Sequence, residues 1–113
     1  MKGIKSIIYE FNGQSLVISL GETNNVSYKD TSGTTTEEKM LEYLRKLYGI
    51  TSNWKEEYIN TKLIDSSNWK LSIIFTDGNK KEYRGKSSYP YNFESFERLN
   101  QELIDEVLYG QVY

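Results

Sequence analysis

Trp69-Lys70-Leu71-Ser72-Ile73-Ile74-Phe75-Thr76-Asp77-Gly78 sets the class of this chain. Trp69, Leu71, Ile73 and Phe75 alternate with Lys70, Ser72, Ile74 and Thr76, the period of a strand with one buried face. Asp77-Gly78 is a hairpin turn signal, and Lys80 to Arg84 returns as the second strand. A three-residue loop ending at Gly78 sets Tyr83 opposite Leu71 on the core face. A two-residue loop sets it opposite Ser72 on the outer face, and both registers fit the sequence. Beyond the hairpin, Gly85 to Ser88 leads into Tyr89-Pro90-Tyr91-Asn92. Pro90 keeps Tyr89 out of helical space, Asn92 is a strong helix N-cap, and Tyr91 with Phe96 fits a hydrophobic staple. The helix that follows buries Phe93, Phe96, Leu99, Leu103, Ile104 and Val107, and Gly110 ends it.

Upstream, Ile4 to Leu20 reads as a second hairpin around Asn12-Gly13. A two-residue turn needing φ > 0 twice pairs Phe11 with Gln14, Tyr9 with Leu16 and Ile7 with Ile18 on one face. Gly21 to Thr36 is polar and reads as a loop, with a short strand near Val26-Ser27-Tyr28 as a candidate. Thr34 with Glu37, or Thr35 with Glu38, forms a capping box before a helix with Met40, Leu41, Leu44, Leu47 and Tyr48 as its stripe. Gly49 is placed to end that helix. Ser52 or Asn53 is a candidate cap for a short turn carrying Trp54 and Tyr58, and Lys62-Leu63-Ile64-Asp65 is a candidate strand. The expected fold is one α+β domain over residues 1–113. It has an antiparallel sheet of two hairpins with room for an extra strand, and two amphipathic helices packed on it.

The totals fit that reading. The chain has 113 residues, one domain's worth, and 14% aromatic content argues against disorder. It has no cysteine and no histidine, which removes disulfides, thiolate metal sites and the commonest general base and metal ligand. No cofactor or metal is expected. No apolar run approaches the ~20 residues of a membrane span, the N-terminus does not read as a signal peptide, and the expected location is cytoplasmic. The net charge of −2 is mild, but it is polarised near the end. Lys80, Lys81, Arg84 and Lys86 oppose Asp77 and Glu82. After them, Glu94, Glu97, Glu102, Asp105 and Glu106 oppose only Arg98.

Three motifs were weighed as sites and read as ordinary structure. Arg84-Gly85-Lys86-Ser87 ends like a phosphate loop, but Lys80 stands where the first glycine is needed and the helix starts too late. Asp77-Gly78-Asn79 starts like a calcium loop without its downstream ligands. The (i, i+4) pairs Glu38 with Glu42 and Glu102 with Glu106 suit a solvated helix face better than acid–base chemistry. The ten tyrosines are a surplus. Tyr9, Tyr48 and Tyr91 have core or staple explanations, whereas Tyr28, Tyr43, Tyr58, Tyr89, Tyr109 and Tyr113 are less accounted for by periodicity. Tyrosine favours interfaces because it buries much area for few torsions.

Asn53-Trp54-Lys55-Glu56-Glu57-Tyr58, Ile64-Asp65, Trp69 to Ile73, Thr76-Asp77-Gly78, Tyr83 to Ser87 and Tyr89 to Phe93 form a recurring pattern. Over about residues 53–99 the chain resembles a group of small uncharacterised Firmicutes proteins. Ser66 departs from the glycine usual there, and Ser88 stands where an asparagine is common. The resemblance implies the architecture and assigns no activity.

The function expected is a non-enzymatic protein-interaction module. Its narrower form is a phage or mobile-element inhibitor of bacterial defence, anti-CRISPR-like, binding a host nuclease. The expected partner-binding residues are Glu94, Glu97, Glu102, Glu106, Tyr89, Tyr109, Lys80, Lys81, Arg84 and Lys86. A nucleic-acid binder using the basic 80–86 strand is the second reading, and a carboxylate enzyme the third. A homodimer pairing through the first strand or the 80–84 strand is a further option.

Overall fold

In the computed structural model, which describes residues 3–60, 62 and 67–110, Asn12 and Gly13 take φ of 47° and 85°. This is the two-residue turn expected at that dipeptide. It joins β1 (Ile4–Phe11) to β2 (Gln14–Ser19), pairing Phe11 with Gln14, Tyr9 with Leu16 and Ile7 with Ile18 as the alternation requires. The second hairpin joins β6 (Asn68–Phe75) to β7 (Lys80–Lys86), and Leu71 faces Tyr83. The three-residue loop is therefore the one adopted. Gly78 takes φ of 89°, the Phe75 amide donates to the Asn79 carbonyl at 2.8 Å, and Tyr83 is buried.

The two hairpins lie side by side, β1 antiparallel to β6, within a seven-stranded sheet of order β4-β3-β2-β1-β6-β7-β5. The candidate strand near Val26-Ser27-Tyr28 is present, and two further strands differ from the sequence reading. Most of the stretch expected as a loop forms a third hairpin, β3 (Asn24–Tyr28) and β4 (Thr31–Thr35). Its turn carried no recognisable signal because Lys29, not Asn or Gly, takes the positive φ, 55°. β5 (Glu57–Ile59) replaces the helical turn expected near Tyr58 and runs parallel to β7, so the sheet is antiparallel except at that edge. Residues 63–66, where most of the candidate strand Lys62–Asp65 falls, lie outside the described residues. The strands nominated as dimer edges are interior: β1 lies between β2 and β6, and β7 between β6 and β5. The edges are β4 and β5.

Helix α1 (Glu37–Thr51) starts one residue later than the Thr35 box implies and two later than the Thr34 box. Its cap is Thr36, whose Oγ1 accepts from the Lys39 amide at 3.1 Å. With lysine at that third position the reciprocal half of a box has no acid to make it. The helix runs through Gly49 to Thr51, where Thr51 Oγ1 donates to the Leu47 carbonyl. Its buried residues are Met40, Tyr43, Leu47 and Thr51, while Leu41 and Tyr48 face outward, Tyr48 at 76% exposure. The stripe is thus rotated from the expected one, and Tyr43 occupies the core place given to Tyr48.

Helix α2 (Phe93–Tyr109) buries Phe93, Phe96, Asn100, Leu103 and Ile104, half-buries Leu99 and Val107, and ends at Gly110 with φ of 67°. Its start is not the device expected. Asn92 makes no side-chain cap bond; its Oδ1 accepts from Trp54 Nε1 at 2.6 Å and its Nδ2 donates to the Ile50 carbonyl at 2.8 Å. Tyr91, 85% exposed, makes no staple. Asn92 instead fastens the end of α1 and the following segment to the beginning of α2.

Both helices cover the sheet face that carries Ile7, Tyr9, Leu16, Ile18, Val26, Leu71 and Ile73. Between the layers Trp54 meets Trp69, Tyr83 and Phe96 edge to face and stacks on Phe93, which lies tilted against Trp69 and Phe96, with centroids from 5.0 to 6.1 Å apart. Ser6, Ile8, Glu10, Val17, Ser27, Lys70, Ser72, Ile74, Lys80, Glu82, Arg84 and Lys86 alternate onto the opposite face. No helix of the described residues covers that face.

Candidate functional site

The pleat of β7 divides the basic set. Lys80, Arg84 and Lys86 point to the open sheet face, whereas Lys81 lies on the helix side, its Nζ 5.5 Å from the Tyr83 ring centroid. Lys70 joins the outward set from β6. Acids meet most of these cations: Glu82 bonds Lys80 and lies 3.5 Å from Lys70, and Glu57 on β5 takes Arg84 at 2.6 Å. Lys80 holds the Glu82 carboxyl below the usual carboxylate range, and Glu57 raises the Arg84 guanidinium. Lys86 makes no ion pair among the described residues. Lys70, Arg84 and Lys86, with Glu10 and Ile59, line an open cleft of about 760 Å³. The parallel pairing of β5 brings Glu57 to Arg84, a placement that charge counting along the chain did not anticipate.

The acidic set is divided by the helix. Glu106 pairs with Lys39 of α1, and Glu97 accepts the hydroxyl of Tyr9 on β1. These two residues lie on the flanks of α2, where they join neighbouring elements. Glu94 lies on the solvent arc with Arg98 3.8 Å away, and Asp105 is there with Gln101 donating to it at 2.9 Å. Glu102 borders a shallow groove that also meets Lys39, Glu42 and Lys46. Of the two tyrosines expected in the surface, Tyr89 lies tilted against Phe93 and shares a hydrogen bond with Ser67, and Tyr109 is exposed at the end of α2. Lys80, Arg84 and Lys86 lie on the opposite side of the sheet from α2.

A third location combines residues that the sequence did not group. Tyr9, Phe11, Gln14, Leu16 and Tyr28 from the first three strands, with Glu97, Asn100, Gln101 and Ile104 from α2, enclose a cavity of about 330 Å³. Burial first, then the hydrogen bond to Glu97, raises the Tyr9 phenol well above the usual tyrosine range. Tyr43, raised by burial, donates to Asn100 Oδ1 at 2.6 Å. Asn100 is 3% exposed and its Nδ2 has no hydrogen-bond partner. An interior polar residue in an otherwise apolar helical stripe, at Asn100, was the one sequence signal of this place.

Among the described residues no group of three or more acidic, histidine or cysteine side chains is placed to hold a metal ion. No helix of the described residues is long and apolar enough to cross a membrane. No family model matches the chain, and no curated protein or solved structure matches it either.

Proposed function

We propose that the chain is a non-enzymatic protein-interaction module whose contact surface is the outer arc of α2. The observation that carries this reading is what remains on α2 after its internal partners are assigned. Glu94 and Glu102 stay on or beside the solvent arc, with Arg98 3.8 Å from Glu94 and Tyr109 exposed at the end. An acidic strip with an aromatic at one end suits a basic protein surface, because complementary charge steers encounter and the aromatic supplies buried area. In its narrower form the partner is the nucleic-acid channel of a bacterial defence nuclease, with the module as its phage or mobile-element inhibitor.

The test is capture of a partner from the native bacterium, followed by the same capture with Glu94→Lys and Glu102→Lys together. The reading expects the partner to be lost while the far-ultraviolet circular dichroism stays unchanged. Equal retention of the partner by the charge-reversed chain contradicts it.

The cleft on the open sheet face supports a second reading, a weak nucleic-acid binder, because Lys70 joins Arg84 and Lys86 there. That reading requires affinity for single-stranded nucleic acid that falls steeply with salt. No binding at low salt removes it. A homodimer by strand pairing would use β4 or β5. Sedimentation as a monomer at tens of micromolar removes that option.

A further inference from the structure

Among the described residues the cavity between the β1–β2 hairpin and α2 is lined by one carboxylate and by no lysine or arginine, while Lys29 Nζ stands 5.4 Å from the centroid of the Tyr28 ring. Glu97 Oε1 accepts the Tyr9 hydroxyl, which fixes the carboxylate against the ring, and its Oε2 has no partner among the described residues. Carboxylate oxygens accept several hydrogen bonds each, so the group retains capacity. Around it stand the rings of Tyr9, Phe11 and Tyr28, with Leu16 and Ile104 completing the apolar wall. Electron-rich ring faces attract cations as the carboxylate does. An anion would meet only repulsion from Glu97. The volume lies within the range of small-ligand sites.

We propose that this cavity binds an organic cation, a primary ammonium or guanidinium group on an apolar body, with the charge on Glu97 and the body against Tyr9, Phe11 and Tyr28. Asn100 supplies an independent observation. It lines the same cavity, it is almost fully buried, and its amide Nδ2 is a donor with nothing to donate to. Buried donors are rarely left without an acceptor. The Nδ2 atom is shielded from solvent, so a ligand's carbonyl or hydroxyl oxygen reaches it only with a small shift of the surrounding side chains; Glu97 and Asn100, three residues apart on one helix, are near neighbours. The site is separate from the acidic arc, since Glu94 and Glu102 do not line it.

Two sources carry this chemistry, a free amine and an arginine side chain of another protein. The experiment is a titration of the full chain, followed by amide NMR shifts, with tyramine and with Nα-acetylarginine amide. Tyrosol and Nα-acetylcitrulline amide serve as their uncharged counterparts. The expected result is saturable shifts at Phe11, Glu97 and Gln101 with at least one cation, its uncharged counterpart binding about tenfold or more weaker. The tighter of the two cations identifies the source. Glu97→Gln is expected to lose the same factor. Gln101 is exposed on the rim, so Gln101→Lys, which tethers a competing ammonium there, is expected to weaken binding and Gln101→Glu to strengthen it. Binding of neither cation, equal binding of the uncharged counterparts, or unchanged affinity in both Glu97→Gln and Gln101→Lys overturns the proposal.

Discussion

At Gly85 the fold has no room for a side chain. A Cβ there would stand 2.1 Å from Trp69 Nε1 and 2.5 Å from the Ser88 carbonyl oxygen, two atoms that hydrogen-bond each other at 2.9 Å. Gly85→Ala therefore has to displace a fully buried indole and break its bond. We expect a loss of about 3 kcal/mol or more in urea unfolding, at the upper end of overpacking effects. Asn92 separates two explanations of the α2 start. As an ordinary cap it would be replaced by serine at little cost. As the clasp between Trp54 Nε1 and the Ile50 carbonyl it requires both ends of the amide. Asn92→Ser and Asn92→Ala are accordingly expected to cost the same, about 1–3 kcal/mol, through unsatisfied buried groups. Full stability in Asn92→Ser would favour the cap. The sequence made Asn92 legible as the boundary residue but not as the clasp, because Trp54 and Ile50 lie about forty positions away and no local pattern links them.

Elements made of strict alternation were readable to the register. The β1–β2 pair is of this kind, since shifting either strand by one residue would expose its whole apolar face, while β6 was readable in its buried face but its register with β7 turned on the loop length. β3 was readable only as a short strand near Val26, and β4 and β5 were not. Thr31-Ser32-Gly33-Thr34-Thr35 has no apolar side chain to alternate, and α2 seals it from above: a Cβ on Gly33 would lie 3.1 Å from the Val107 carbonyl. Helix α1 was readable as an element but not in its rotation, because Tyr43 and Tyr48 both border an apolar stripe and only packing chooses between them. Tyr43 is chosen, and it reaches Asn100 on α2. Tyr43→Ala is expected to cost about 3 kcal/mol or more as a large-to-small core change. Tyr48→Ala is expected to cost about 0.5 kcal/mol or less as a surface change. Chemical denaturation of the two variants checks the rotation, and the reverse order would contradict it.

Across the whole molecule the helix layer and the open sheet face divide the charge. The sequence showed a basic run followed by an acidic run but not that the sheet separates them, since only the register of β7 and the placement of α2 determine that. The Tyr9 phenol joins the sheet to α2, and the Tyr43 phenol joins α1 to α2. Their folded-state pKa values are raised, so their contribution is complete below the unfolded tyrosine value of about 10 and is lost as pH rises past it. Unfolding measured from neutral to strongly alkaline pH should show stability falling above about pH 10. Tyr9→Phe together with Tyr43→Phe should flatten that part of the curve. In the proposed complex α2's outer arc, not the open sheet face, meets the partner. Hydrogen exchange of the chain with and without its captured partner tests it most directly. Protection along residues 94–109 is the predicted result. Protection confined to the strands carrying Lys70, Lys80, Arg84 and Lys86 would contradict it.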